Sequence, residues 1–201
     1  MFKINNLQFE REGISLFEPI TLHLSAGSCI QLCGPNGSGK TTLLKILAGC
    51  IKPRRGALLL HGKKISSLCY HSKYLGHELA LNASLSVTEN LAYYAALMRA
   101  NPHEITIACD FFSLQDFLSQ SIEKLSAGQK HRCQLAKLLI GHRDFWLLDE
   151  PFTALDQYHV EQLIRLFKIF TDKGGIIIFT SHHPIKTDLF NLQPYYIYEP
   201  L

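Results

Sequence analysis

The stretch Cys29-Ile30-Gln31-Leu32-Cys33-Gly34-Pro35-Asn36-Gly37-Ser38-Gly39-Lys40-Thr41-Thr42 decides the fold. Residues 28–33 read as a short apolar strand. From Lys40 to Ala48 the apolar spacing becomes helical, and Gly49 is placed to end that helix. Between strand and helix lies a complete G-x-x-x-x-G-K-[ST] phosphate loop. Its glycines let backbone N–H groups turn inward around phosphate oxygens, and the helix N-terminus adds a favourable dipole. The candidate binding residues are Gly34, Pro35, Asn36, Gly37, Ser38, Gly39, Lys40, Thr41 and Thr42. Lys40 would reach the β- and γ-phosphates, and Thr41 would ligate Mg²⁺.

Working outward, Ile20–Leu24 and residues 57–61 alternate like strands, with glycines and prolines between them. Val87–Met98 reads as a helix with Ser86 or Thr88 as its N-cap. Asn101-Pro102 breaks it, and a second helical pattern covers residues 103–112. A third helix begins near Ala127 and carries Leu135, Leu138 and Leu139. Then come a strand Phe145–Leu148, a helix over 157–170, the pair Gly174-Gly175 and a strand Ile176–Thr180. Strand-then-helix alternation predicts an α/β fold with a parallel sheet. The purely helical middle, about residues 78–140, reads as a subdomain inserted into one domain spanning 1–201.

A phosphate loop alone does not choose among kinases, GTPases and transport ATPases. Phe145-Trp146-Leu147-Leu148-Asp149-Glu150 narrows the choice. A buried strand delivers Asp149 to its C-terminal end, where it can hold Mg²⁺ through water. Glu150 would lie next to the γ-phosphate and orient or deprotonate the attacking water. Upstream stands Leu125-Ser126-Ala127-Gly128-Gln129, with Ser126 placed to cap the following helix.

Taken together, these motifs resemble the ABC ATPases, whose signature is LSGGQ; here alanine holds its third position. The resemblance spans essentially the whole chain. It implies an ABC nucleotide-binding fold, with a parallel phosphate-loop core, an N-terminal antiparallel β part and the helical insertion. It also implies an ATP-hydrolysing cassette that works with Mg²⁺ as a head-to-tail homodimer. Two ATP molecules would then be sandwiched at the interface, with Ser126 and Gly128 facing the γ-phosphate held by the other copy. Ala154-Leu155-Asp156 resembles the loop that crosses that interface. Thr180-Ser181-His182 resembles the strand end carrying the switch histidine, with His183 as the register alternative. Two positions depart from the family pattern. His77 stands where such cassettes have glutamine. Arg11, with Phe9 two residues away, stands where an aromatic residue stacks on adenine, and a guanidinium can also stack on a base.

Within the family the chain is similar to ATP-binding subunits of cytochrome c maturation systems, which act in haem export. The resemblance lies in Tyr74-Leu75-Gly76-His77, Leu85-Ser86-Val87-Thr88-Glu89-Asn90-Leu91, Leu125 to Gln129 and Asp149 to Asp156. It implies integral membrane permease partners and a peripheral place on the cytoplasmic face of the bacterial inner membrane. Alternatives are a soluble ABC ATPase acting on ribosomes or DNA, or the cassette of another small-substrate exporter. The single cassette and the lack of sustained heptads disfavour the first. A small-molecule kinase would leave the Leu125 to Gln129 segment and His182 unexplained.

Composition sets the outer bounds. With 47% hydrophobic and 18% charged residues, the chain is globular. A formal net charge of +3 gives no case for nucleic-acid binding. Met1 leads into Phe2-Lys3-Ile4-Asn5-Asn6-Leu7 with no signal-peptide pattern, and no apolar run approaches the roughly 20 residues needed to span a bilayer. Any membrane role is therefore expected to come through a partner. The six cysteines form no CxxC pair and read as small buried thiols.

Overall fold

The computed structural model describes residues 1–181, 185 and 187–198. The chain forms two compact units: Met1–Tyr74 with Arg143–Glu150 and Ile164–Leu201, and Leu75–His142 with Pro151–Leu163.

The first unit holds three sheets. β1 (Phe2–Gln8), β4 (Ile20–Leu24), β6 (Arg55–Leu60) and β7 (Lys63–Ile65) form an antiparallel sheet in the order β4-β1-β6-β7. β2 (Glu10–Arg11) and β3 (Ile14–Ser15) make a small hairpin. β5 (Cys29–Cys33), β8 (Ser72–Leu75), β9 (Phe145–Leu148), β10 (Ile176–Thr180) and β11 (Leu192–Tyr196) form the central sheet in the order β11-β5-β10-β9-β8. β10 pairs in parallel with β5 and β9, and β11 in parallel with β5. All residues of β9 and β10 are buried, which explains why they read as continuous apolar runs rather than alternating ones.

α1 (Lys40–Ala48) buries Leu43, Leu44, Ile46 and Leu47 in a core shared with Phe2, Ile4, Ile30, Leu32, Phe145 and Ile178. Gly49 takes the left-handed conformation and its N–H reaches back to Ile46 O and Lys45 O, which ends the helix as its sequence predicts. Trp146 stacks on Phe170 with ring centroids 3.8 Å apart.

The second unit is helical. α2 (Val87–Met98) is capped by Ser86, whose hydroxyl accepts from Glu89 N while the Glu89 carboxylate accepts from Ser86 N. This decides between the two caps the sequence allowed. α3 (His103–Phe111) follows, then α4 (Ala127–Ala136), which tightens into a 3₁₀ turn over Lys137–Leu139. Val87, Leu91, Phe112, Cys133, Leu135 and Leu138 are buried. α5 (Gln157–Asp172) begins in this unit and runs on into the first. No helix among the described residues is long and apolar enough to cross a membrane.

All six cysteines are free thiols. Cys29, Cys109 and Cys133 are buried, and burial raises the thiol pKa of Cys109 to about 11 and of Cys133 to about 12. Cys50 and Cys69 are exposed, contrary to the buried reading. Cys50 follows the glycine cap of α1 and Cys69 lies in a turn, and neither place buries a side chain.

Candidate functional site

Three neighbouring parallel strands end at one edge of the central sheet, where Leu32 pairs with Thr180 and Leu148 with Phe179. Open α/β sheets bind ligands beyond such carboxyl ends. β5 runs into the phosphate loop, β9 into Asp149 and Glu150, and β10 ends on Thr180.

In the loop, Gly34, Gly37 and Gly39 all have positive φ, at 146°, 90° and 91°. Two of them also stand where a side chain has no room. A Cβ on Gly34 would lie 2.7 Å from Ser38 Oγ, and one on Gly39 would lie 2.6 Å from the Phe17 ring. Gly39 is the N-cap of α1, and no side chain caps that helix. The first N–H groups of a helix lack intrahelical partners, so α1 presents them as an anion site. Ser38 Oγ is buried without a hydrogen-bond partner. Lys40 Nζ donates to Gly34 O at 2.9 Å and Pro35 O at 2.8 Å, which leaves one ammonium hydrogen for an anion. Asn36 is exposed, and Thr42 sits half-buried in the first turn of α1. These features fit a phosphate chain.

Thr41 Oγ1 lies 3.0 Å from each carboxylate oxygen of Asp149. Thr180 Oγ1 donates to Asp149 Oδ1 at 2.8 Å and accepts from Glu150 N at 2.8 Å. One hydroxyl therefore joins the two acidic residues. Asp149 is buried, and a hydroxyl beside a carboxylate is a hard-oxygen pair of the kind that binds Mg²⁺ together with substrate phosphates. Glu150 holds a left-handed backbone, φ 54°, which costs about 1–2 kcal/mol for a residue with a Cβ and often marks functional sites. Thr180 stands in the Thr-Ser-His motif, where the resemblance points to the histidine instead. The signal of Thr180 is a hydroxyl ending a fully buried strand.

In the helical unit, Ser126 caps α4 through a capping box. Ser126 N donates to Gln129 Oε1 at 2.8 Å, and Gln129 N donates to Ser126 Oγ at 3.2 Å. Gly128 makes a close approach to the 151–156 loop, since a Cβ there would lie 2.9 Å from Ala154 O. His131 Nε2 lies 2.8 Å from Pro151 O. Burial pushes the His131 imidazole below its ordinary pKa, the Pro151 bond opposes this, and His77 adds to the lowering.

His77 is exposed on the bend after β8. α4 grips its segment: Gln134 Nε2 donates to Gly76 O at 2.9 Å and Glu78 O at 3.3 Å, and Lys137 Nζ donates to Ala80 O at 2.7 Å. Burial lowers the Lys137 pKa, with Cys133 opposing. Gln134 and Lys137 carry no motif, and only the contact reveals them. Arg11 is exposed on the β2–β3 hairpin, whereas Phe9 packs against the core. His182 and His183 lie outside the described residues.

Comparison with known proteins follows the same lines. The family described as ABC transporter matches residues 17–153. The cytochrome c biogenesis ATP-binding export protein CcmA of Pseudomonas syringae pv. syringae (strain B728a) is 39% identical, over 90% of this chain and 87% of its own. That of Legionella pneumophila is 33% identical over 98% of this chain and 100% of its own. A bacterial ABC transporter cassette solved as a dimer superimposes with TM-score 0.84 over 98% of this chain and 94% of its own. At 21% identity that likeness shows the fold: an ABC nucleotide-binding domain with a parallel core and an antiparallel β part. Since the family match takes in the phosphate loop, the Leu125 to Gln129 segment and both carboxylates, the chain belongs to the ABC transporter family.

Proposed function

We propose that this chain is the ATP-hydrolysing motor of an ABC exporter in c-type cytochrome biogenesis, driving haem export or haem handling. The observation that carries the ATPase reading is the hydrogen-bonded set Thr41–Asp149–Thr180–Glu150, standing beside the uncapped N-terminus of α1. The likeness to the CcmA relatives supports the biological setting.

Gly34 to Thr42 hold the phosphates, with Lys40 neutralising the β- and γ-phosphate oxygens. Thr41 and Asp149 hold Mg²⁺, which when bound offsets phosphate charge. Glu150 orients the attacking water and accepts its proton. Arg11 supplies a stacking plane for adenine. His182 contacts the γ-phosphate. Ser126 and Gly128 complete the site of a second copy, so that ATP joins a homodimer. Residues 78–140 form the helical subdomain that meets an integral membrane permease, and His77 at its start links nucleotide to permease. The cassette is then peripheral on the cytoplasmic face of the membrane, and no nucleic-acid partner is involved.

The test is Mg²⁺-dependent ATP turnover. Lys40→Ala should weaken ATP binding or turnover. Glu150→Gln should keep ATP binding, lower kcat by about a hundredfold or more, and accumulate an ATP-dependent dimer in sedimentation. Undiminished turnover in both variants removes these residues from the mechanism. Co-purification from detergent should bring down a multi-span membrane protein, and recovery of ribosomes instead would overturn the exporter reading.

A further inference from the structure

We infer that His159, lodged between Arg132 and Asp156, is a positioning residue that fixes the 151–156 loop against the signature helix α4. His159 Nδ1 lies 2.7 Å from Asp156 Oδ1, and its Nε2 lies 3.1 Å from Arg132 Nη1. The partners assign the protons. A carboxylate only accepts, so Nδ1 carries the hydrogen. A guanidinium only donates, so Nε2 accepts. The geometry thus places a donor nitrogen on the Asp156 side and an acceptor nitrogen on the Arg132 side.

A helix cap alone does not require this. Asp156 Oδ1 already accepts from His159 N at 2.9 Å, which satisfies the first turn of α5. The imidazole adds a second bond to the same oxygen and ties it to Arg132. Arg132 Nη1 also donates to Phe112 O at 2.8 Å and Ser113 O at 2.9 Å, at the end of α3. The His159 side chain is 10% exposed, while the Asp156 side chain remains 66% exposed. Both contacts act on Oδ1 of an otherwise exposed side chain. The same loop is held at two further points of α4, by His131 on Pro151 O and by the crowding of Ala154 O on Gly128. Loop and signature helix thus form one rigid element. Asp156 is presented to a second copy of the chain in a fixed relation to Ser126.

The inference rests on the proposed ATP-sandwich dimer, and its test separates the two. His159→Phe keeps the ring and removes both bonds. It should lower kcat for ATP by about tenfold with little change in KM, because a misplaced loop spoils alignment while the phosphate loop is untouched. His159→Asn can still donate to Asp156 and should recover part of that loss. Amide hydrogen exchange in residues 152–156 gives a readout independent of turnover: faster in His159→Phe, restored toward the parent in His159→Asn. A parental kcat in His159→Phe with only a lowered Tm would reduce His159 to a helix cap and overturn the inference. Unchanged exchange would overturn it even if the ATPase reading itself failed. Should His159→Phe not fold, His159→Leu, which also has neither donor nor acceptor, takes its place, and parental kcat and exchange there would do the same.

Discussion

The N-termini of α1 and α4, both candidate parts of the nucleotide site, are finished in opposite ways. α1 starts from a left-handed glycine with no side-chain cap, while α4 starts from Ser126 inside a complete capping box. Both helices carry the same positive end charge, about half an elementary unit. They differ in hydrogen-bonding capacity. The first turn of α1 keeps its N–H groups for a ligand, whereas Ser126 N and Gln129 N of α4 are already paired. The same backbone device is thus finished in two ways: the first turn of α1 meets no side-chain cap, while α4 has two of its end N–H groups already used and offers fewer, together with its dipole and the Ser126 hydroxyl hydrogen. This fits a primary nucleotide site on one copy and a completing contribution from another.

The largest effect is expected where the α1 region is knit together. Thr180→Val keeps the shape but strips the hydroxyl that joins Asp149 to Glu150 N. Losing a bond to a half-buried N–H costs about 1 kcal/mol, and Glu150 loses one anchor of its left-handed backbone. We expect kcat to fall about tenfold or more, with a Tm drop of a few degrees, about 2–4 °C per kcal/mol for a chain of this size. A parental kcat would show that Glu150 is positioned by other contacts.

A smaller effect is expected at Gly128, where two terms oppose each other. Alanine is the better helix former by about 1 kcal/mol. Its Cβ would meet Ala154 O at 2.9 Å, and overpacking costs about 1–3 kcal/mol. We expect overpacking to win, so Gly128→Ala should lower Tm slightly and reduce kcat severalfold. A rise in Tm would mean that the 151–156 loop yields freely, and it would weaken the contrast between a tied signature helix and an open phosphate-loop helix.

What the sequence made legible follows the range of the forces involved. The strands ending at Asp149 and Thr180 were readable because burial on both faces makes them continuous apolar runs. α1 and α2 were readable because periodicity and end signals agree. β8 and β11 were not. β8 mixes Ser72 and Lys73 into four residues, and β11 contains Pro194, which a strand tolerates here because β11 lies at the sheet edge. Among the candidate site residues, Lys40, Thr41, Asp149 and Glu150 stand in motifs whose spacing is local. Thr180, Gln134, Lys137 and, toward Arg132, His159 bond to partners distant in sequence, and single-residue identity gives no sign of that.

The smallest effect tests the capping box itself. Gln129→Ala frees Ser126 N while leaving Ser126 Oγ on Gln129 N, so only half of the box is lost. Ser126 is exposed, and water can replace the missing bond, which sets the cost at about 0.5 kcal/mol. If α4 contributes chiefly its dipole and the Ser126 hydroxyl, Gln129→Ala should lower Tm by a few degrees at most. ATP-driven dimerisation in the Glu150→Gln background should then stay the same or strengthen, because one more N–H faces the interface. Ser126→Ala instead keeps the bond from that N–H to Gln129 and removes the hydroxyl, and it should lower Tm similarly while weakening the dimer. Sedimentation of both double variants with and without ATP·Mg²⁺ reads the difference. Equal weakening in both would mean that the intact box, rather than the Ser126 hydroxyl, is what the second copy recognises.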